Sequence, residues 1–242
     1  MKALVLSVLL TFAMNMVFAQ AQEYIQLRKY TFDKTEQLQQ TEAFIENIYL
    51  PELKKKGYSR VGVFRNHAEE SDTALYLYLL LPIPNPTTLY DTDIEILDIF
   101  PEEKHYARVE NVLLKSFQDM PMLKPSELSG PRKDRIYELR SYESPTDKKY
   151  INKVDMFNAG GEVILFEELG FNAVFYGEVI AGSNMPNLMY MTTHANQKAR
   201  DDNWKAFVDA PKWKEISSMP KYQKNVSHID IHFLYPTSYS DY

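Results

Sequence analysis

The chain has 242 residues, of which 45% are hydrophobic and 25% charged, an ordinary globular composition for one or two domains. Its formal net charge of -6 argues against a nucleic-acid groove as its main function. It contains no cysteine, which excludes disulfides, thiolate metal sites and a cysteine nucleophile.

The first predicted element is an export signal. Lys2 precedes the apolar run Ala3–Ala13, and Ala19-Gln20-Ala21 fits the small-x-small cleavage rule. The alternative is a membrane anchor, but the run is broken by Asn15 and is shorter than the ~20 apolar residues that a span needs. We therefore predict that residues 1–21 are a cleaved signal peptide and that no membrane span remains. The expected location is periplasmic or secreted, in a bacterium.

Two copies of one strand pattern open the two halves of the remaining chain. Glu23–Tyr30 reads EYIQLRKY and Arg135–Tyr142 reads RIYELRSY. Apolar and polar residues alternate in both segments, which predicts a β-strand in each half. A helix with spaced apolar residues is predicted after each copy. Each helix ends near a glycine, Gly57 or Gly170, where a left-handed cap is expected.

The later elements also occur once in each half. In the first half, the two extended segments are at 55–64 and 74–81, the second helix at 102–117 and the fourth strand at 126–129. In the second half, the extended segments are at 168–177 and 187–194, the helix at 196–217 and the strand at 227–234. The order strand, helix, strand, strand, helix, strand is that of a ferredoxin-like domain. We predict an α+β fold with two tandem ferredoxin-like domains, residues 22–130 and 131–242. The proline-containing segment 120–134 marks their boundary.

A sheet with both helices on one side needs a cover or a use for its other side. In the first strand of the second half, alternation separates Tyr137 and Leu139 from Glu138, Arg140 and Tyr142. We expect the polar set to lie on the helix-free face.

The last strand is expected to follow the same rule. Ile229 and Ile231 are apolar and should face the helices, which leaves His228, Asp230 and His232 on the opposite face. Two such faces can close on each other as a barrel and enclose a pocket. The predicted ligand-binding residues are Glu138, Arg140, Tyr142, His228, Asp230 and His232. The alternative is that these groups face solvent or form structural ion pairs.

The chemistry of this set suits a small oxygenated or anionic molecule. The arginine can bind a carboxylate through two hydrogen bonds, and the tyrosine can donate to a carbonyl or enolate oxygen. His228-x-Asp230-x-His232 also has metal-ligand residue types on one strand face, with His194 as a further candidate. Such a run also arises by chance on a polar strand face, so we predict no metal and no cofactor.

Several motifs of the second half resemble the NIPSNAP family. They are Tyr137-Glu138-Leu139-Arg140-x-Tyr142, Leu169-Gly170-Phe171, Arg200 with Trp204, Phe207, Pro211 and Trp213, and Leu234-Tyr235-Pro236-Thr237. The first half resembles a divergent copy without a tryptophan in its second helix. Apart from any family role, the aromatic residues near Trp204 are expected to be core.

The resemblance implies the dimeric α+β barrel superfamily, which includes cofactor-free monooxygenases and haem-degrading enzymes. It implies no catalytic residue, because the family has no settled chemical activity. Eukaryotic members are linked to mitochondria and vesicular traffic, which the export signal argues against here. The resemblance implies a homodimer, which internal pairing of the two halves as a pseudo-dimer could replace.

Three functional hypotheses follow. The first is binding of a small molecule between the sheet faces, and the second is a cofactor-poor monooxygenase or isomerase of the same fold. The third is a protein-interaction module without a ligand, which a solid apolar barrel interior would favour.

Overall fold

A computed structural model of the chain describes residues 21–66, 74–87 and 105–242. Most of the predicted signal peptide lies outside these residues. The strands are β1 (Tyr24–Phe32), β2 (Gly62–Asn66), β3 (Leu75–Ile83), β4 (Arg108–Ser116), β5 (Ile136–Glu143), β6 (Ala173–Ala181), β7 (Asn187–His194) and β8 (His228–Pro236).

The described helices lie between these strands. They are α1 (Thr35–Phe44), which continues through a π-helical stretch (Ile45–Tyr49) into α2 (Leu50–Lys55), and α3 (Asp147–Phe157), α4 (Glu162–Glu168), α5 (Gln197–Asp209) and α6 (Pro211–Ser218). No helix in the described part of the chain is long and apolar enough to cross a membrane. The predicted glycine caps are confirmed, because Gly57 and Gly170 have φ angles of 88° and 76°.

The last part of the first half differs from the sequence-based expectation. A helix was expected around 102–117 and a strand near 126–129. Residues 102–104 lie outside the described residues, but residues 108–116 form β4, and 126–129 form no strand. The apolar spacing of Val109, Val112 and Leu113 also fits a helix. The strand forms because β1 pairs with it antiparallel along nearly its whole length, from Tyr24 to Thr31, so tertiary pairing overrides the local pattern.

The eight strands form one closed antiparallel barrel in the order β1-β3-β2-β8-β5-β7-β6-β4. The first four strands lie in the order β4-β1-β3-β2, and the second four in the matching order β8-β5-β7-β6. The two sheets meet at two seams, β2 with β8 and β4 with β6. The barrel therefore closes within a single chain.

Three apolar clusters hold this arrangement together. Side chains from both halves fill the barrel interior, among them Ile25, Leu27, Leu80, Leu139 and Met191. A second cluster lies outside the barrel under α1 and α2, and a third lies under α3 to α6. The third cluster contains the predicted aromatic core residues Phe207, Trp204 and Trp213. Both faces of the barrel wall are thus covered over much of their area.

Candidate functional site

The six predicted site residues lie on two opposite faces of the barrel wall. In the β5–β8 register, Leu139 is opposite His232, and Arg140 is opposite Ile231. Leu139 belongs to the interior cluster, so His232 faces the interior and Arg140 faces outward. The prediction that all six share one helix-free face is therefore wrong.

The error has a physical cause in each strand. On β5 both faces are buried: the interior takes the apolar residues, and the polar residues lie under the helices. On β8 the apolar Ile229 and Ile231 do not face a core, because they are 44% and 39% exposed on the outer surface. The assumption that apolar residues point toward the helices thus fails in both strands.

A buried ionic network, centred on Glu138, occupies the outer face beneath α5. The Glu138 carboxylate is fully buried. It accepts hydrogen bonds from Arg140 Nε at 2.7 Å, from Arg200 Nε and Nη2 at 2.8 Å each, and from Trp204 Nε1 at 2.9 Å. The Arg140 guanidinium carbon lies 3.8 Å from the centre of the Trp204 ring.

The same network extends along the sheet through hydroxyl groups. Arg140 Nη1 donates to Tyr142 Oη at 3.0 Å, and Tyr142 Oη lies 2.8 Å from Tyr190 Oη. Glu138, Arg140 and Tyr142 are therefore brought together, as the sequence predicts. Because Arg140 is already engaged by a carboxylate and a hydroxyl, this arrangement favours a structural tie over a free anion-binding arginine.

Electrostatics support the ionic form of this network. Burial acts to raise the pKa of Glu138, but the hydrogen bonds from Arg200 and the charge of Arg140 outweigh it and lower the pKa. Nearby, His194 is 1% exposed, and burial lowers its pKa to about 4. His194 is therefore neutral at pH 7, and it lies on the outer face, away from His228 and His232.

The first half contains a reduced version of the network. Gln26 and Arg28 occupy the positions that Glu138 and Arg140 occupy in the second half, and both are buried. In the Gln26 amide orientation that satisfies the neighbouring donors, the amide oxygen accepts a hydrogen bond from Arg28 Nε at 2.7 Å. The repeated Leu-Arg-x-Tyr motif therefore places a leucine inside the barrel, and an arginine and a tyrosine under the helices, in both halves.

A buried ion pair beneath α3 and α4 was not found from the sequence. Lys153 Nζ lies 2.9 Å from Glu162 Oε2, and both side chains are buried. Burial raises the pKa of Glu162 despite the nearby ammonium group. The two residues are nine positions apart in separate helices, so no helical i,i+4 spacing could indicate their contact.

The interior face of the barrel becomes polar toward one end. Residues that continue the inward-facing alternation of their strands lie there, namely Lys29, Tyr76, Ser141, Glu143, Asn187, His228, Asp230 and His232. We call this set the polar end of the barrel. It contains three of the predicted site residues. Ser141 and Asn187 are buried and hydrogen-bonded to each other at 2.8 Å, whereas Lys29, Tyr76 and His232 are partly exposed.

Side chains from the two halves meet at the polar end. Lys29 Nζ lies 4.1 Å from the centre of the Tyr76 ring and 5.9 Å from that of Tyr78. The His232 ring lies 5.9 Å from the Tyr78 ring and 6.5 Å from the Tyr76 ring. The sequence analysis did not predict Lys29 as a site residue, although it shares the strand face of Ile25 and Leu27.

A separate cavity of about 170 Å³ lies between the segment that joins the two halves and the second half. Its lining includes Asp119, Lys124, Glu127, Glu167 and Tyr176. None of the six predicted residues lines it. The cavity is therefore separate from the polar end of the barrel.

A closed antiparallel barrel with helices packed on its outside defines this chain as an α+β barrel protein. A proposed monooxygenase of Lactobacillus acidophilus is similar in fold, with 12% identity, a TM-score of 0.56, and coverage of 89% of this chain and 94% of that chain. A proposed monooxygenase of Fusobacterium nucleatum has 8% identity and a TM-score of 0.58, with coverage of 90% of this chain and 93% of that chain. An anthrone oxidase-like protein has 12% identity and a TM-score of 0.56, with coverage of 90% of this chain and 93% of that chain.

Within this class, the family model described as NIPSNAP matches residues 137–241. Residues 137–241 thus match a NIPSNAP domain, which confirms the resemblance found in the motifs of the second half. No curated protein matches the sequence. The solved structures show the fold, and the family match applies to residues 137–241.

Proposed function

We propose that this protein binds a small oxygenated or anionic molecule at the polar end of the barrel, between two tandem ferredoxin-like sheets. The matching strand orders of the two halves support the tandem arrangement. The proposal keeps His228, Asp230 and His232 as ligand-facing residues. It assigns Glu138, Arg140 and Tyr142 a supporting role beneath the helices.

One observation carries the proposal: Lys29 and His232, from different halves, turn toward the interior around the rings of Tyr76 and Tyr78. An ammonium group and an imidazole can both donate to oxygen atoms, and a wall of aromatic rings suits an organic ligand. The partial exposure of Lys29, Tyr76 and His232 gives such a ligand access from solvent.

Native mass spectrometry after incubation with a metabolite mixture tests this function. We expect a discrete added mass on the wild-type protein and on Lys198→Met, which changes an exposed lysine that follows His194, at the end of β7 opposite to Asn187. Lys29→Met and His232→Leu should each lose the added mass. Retention by both of these variants, with loss in Lys124→Met, would place the ligand in the cavity beside the joining segment instead.

Catalysis by a cofactor-poor monooxygenase is a second candidate, favoured by the fold shared with the proposed monooxygenases and the anthrone oxidase-like protein. Anthrone is a suitable probe, since its oxidation by O₂ gives anthraquinone and water. Coupled loss of anthrone and O₂ in the presence of the protein would support it. The third candidate is a protein-interaction module without a ligand, and the apolar cluster inside the barrel supports it. For such a module, neither the mass measurement nor the anthrone assay should give a signal.

We also propose that the mature protein is exported. The apolar run and the Ala19-Gln20-Ala21 site support cleavage. Edman sequencing of protein secreted by a bacterial host should begin at Gln22. A product that keeps Met1 and stays with the cytoplasm would contradict export without affecting the ligand proposal.

A further inference from the structure

Three side chains with metal-ligand chemistry come together at the polar end of the barrel. Glu143 ends β5, His228 begins β8, and the two residues are directly paired in the β5–β8 register. Asp230 is two positions further along β8 and therefore shares the face of His228. One ligand atom from each of Glu143, His228 and Asp230 lies within 4.8 Å of the other two.

These distances fit a shared cation. His228 Nε2 and Asp230 Oδ1 are 3.0 Å apart. Metal bonds of about 2.0–2.2 Å to nitrogen and oxygen place neighbouring ligand atoms roughly 3 Å apart. The third ligand atom, from Glu143, lies within 4.8 Å of both of these atoms.

The backbone holds the two strand ends in place. Ser227 donates to the Glu143 carbonyl through its backbone N–H at 2.8 Å and through its hydroxyl at 3.2 Å. The relative position of Glu143 and His228 is thus fixed by the sheet and by this anchor. Ligands on rigid strands lose less conformational entropy on binding than ligands on loops.

The charge balance of the cluster points the same way. Within residues 21–66, 74–87 and 105–242, no lysine or arginine forms an ion pair with Glu143 or Asp230, and the side chain that contacts Asp230 at 3.0 Å is His228. Two carboxylates at this separation repel each other unless a cation lies between them. A divalent ion would supply that charge.

We propose that Glu143, His228 and Asp230 bind a divalent first-row transition-metal ion such as Zn²⁺ or Mn²⁺. One imidazole and two carboxylates suit these ions, whereas Ca²⁺ prefers six to eight oxygen ligands and Mg²⁺ favours oxygen in octahedral geometry. The site does not depend on the proposed ligand binding, since the metal alone is the probe.

The site differs from the one suggested by the sequence pattern. His228-x-Asp230-x-His232 names His232 as the third ligand, but the His232 ring lies against Tyr76 and Tyr78 instead. Glu143 is far away in sequence and becomes a neighbour only through the β5–β8 register. The two ligand sets can therefore be separated by single substitutions.

Isothermal titration of the chelator-treated, tag-free full chain with ZnCl₂ and with MnCl₂ tests the site. We expect one ion per chain. Glu143→Gln, His228→Ala and Asp230→Asn should each weaken Zn²⁺ affinity by at least about tenfold, since even outer partners of metal ligands cost that much. His232→Leu and the exposed Glu215→Gln should leave the affinity unchanged.

A structural readout accompanies the titration. Zn²⁺ should shift the imidazole NMR signals of His228 and not those of His194, which lies on the opposite face. Circular dichroism of each variant checks its fold. The proposal is overturned if no one-site binding is seen, or if Zn²⁺ affinity survives Glu143→Gln but is lost in His232→Leu.

Discussion

Glu138 is the residue on which the outer face of the second half depends most. Its two carboxylate oxygens accept from Arg140, Arg200 and Trp204, and no other buried carboxylate in the described residues has two arginine partners. Burying one negative and two positive charges is tolerated only while all partners stay in place. A substitution at Glu138 should therefore cost more than the loss of one hydrogen bond.

Glu138→Gln removes the negative charge and keeps the shape. We expect the free energy of unfolding to fall by about 3 kcal/mol, because two guanidinium groups lose their shared counter-charge. Urea denaturation followed by circular dichroism measures this. Adding Arg200→Gln should recover part of the loss, and Glu215→Gln should change little because its ion pair is exposed.

His194 gives the fold a distinct response to acid. Its pKa is about 4 in the folded protein, against 6.5 for the free side chain, so the unfolded chain binds more protons between these values. Stability should therefore fall by about 3 kcal/mol as the pH drops from 6.5 to 4. His194→Gln should reduce this slope in pH-dependent urea titrations. An unchanged slope would show that His194 does not cause it.

At the same scale, the sequence predicted part of the candidate site. The contact of Glu138, Arg140 and Tyr142 follows from strand alternation alone. Which face they occupy could not be predicted, because polar residues on a strand are consistent with solvent, with a pocket, or with a buried network under helices. Arg200 and Trp204 complete that network from a helix 60 or more positions away.

At the scale of elements, strongly patterned segments were predicted well and β4 was not. The repeated motif and the glycines that end the first helices correspond to β1, β5 and left-handed caps. In β4 the four residues Val112–Lys115 include three consecutive apolar side chains. The local spacing also fits a helix, so pairing with β1 and β6 decides the conformation of this segment.

Gly170 tests the contribution of one such cap. Its φ of 76° lies in the left-handed region, where a side chain is strained even though the space around it is open. Gly170→Ala should lower the free energy of unfolding by about 1 kcal/mol. Gly170→Asn should lose less, because asparagine tolerates this conformation. Equal losses in the two variants by thermal denaturation would point to another cause.

At the scale of the whole molecule, the two seams decide the assembly. Each seam joins the second strand of one half to the fourth strand of the other, β2 with β8 and β6 with β4. The β2–β8 seam is short, with pairing only over Phe64–Asn66. Each half thus pairs with the other through the edges of its own second and fourth strands.

Residues 131–242 produced alone would leave β6 and β8 unpaired. Exposed strand edges favour pairing with another chain, and β6 of one copy can meet β8 of a second. We expect this fragment to sediment as a dimer. A folded fragment with the mass of a monomer would contradict the equivalence of the two seams.

Covalent linkage of the two halves also removes a constraint that symmetry would impose. In a barrel built from identical subunits, every substitution occurs twice. Here the position that carries Lys29 in the first half carries Ser141 in the second, and Gln26 corresponds to Glu138. One gene can thus place an ammonium group on one wall and a small hydroxyl on the other, which two identical subunits could not do.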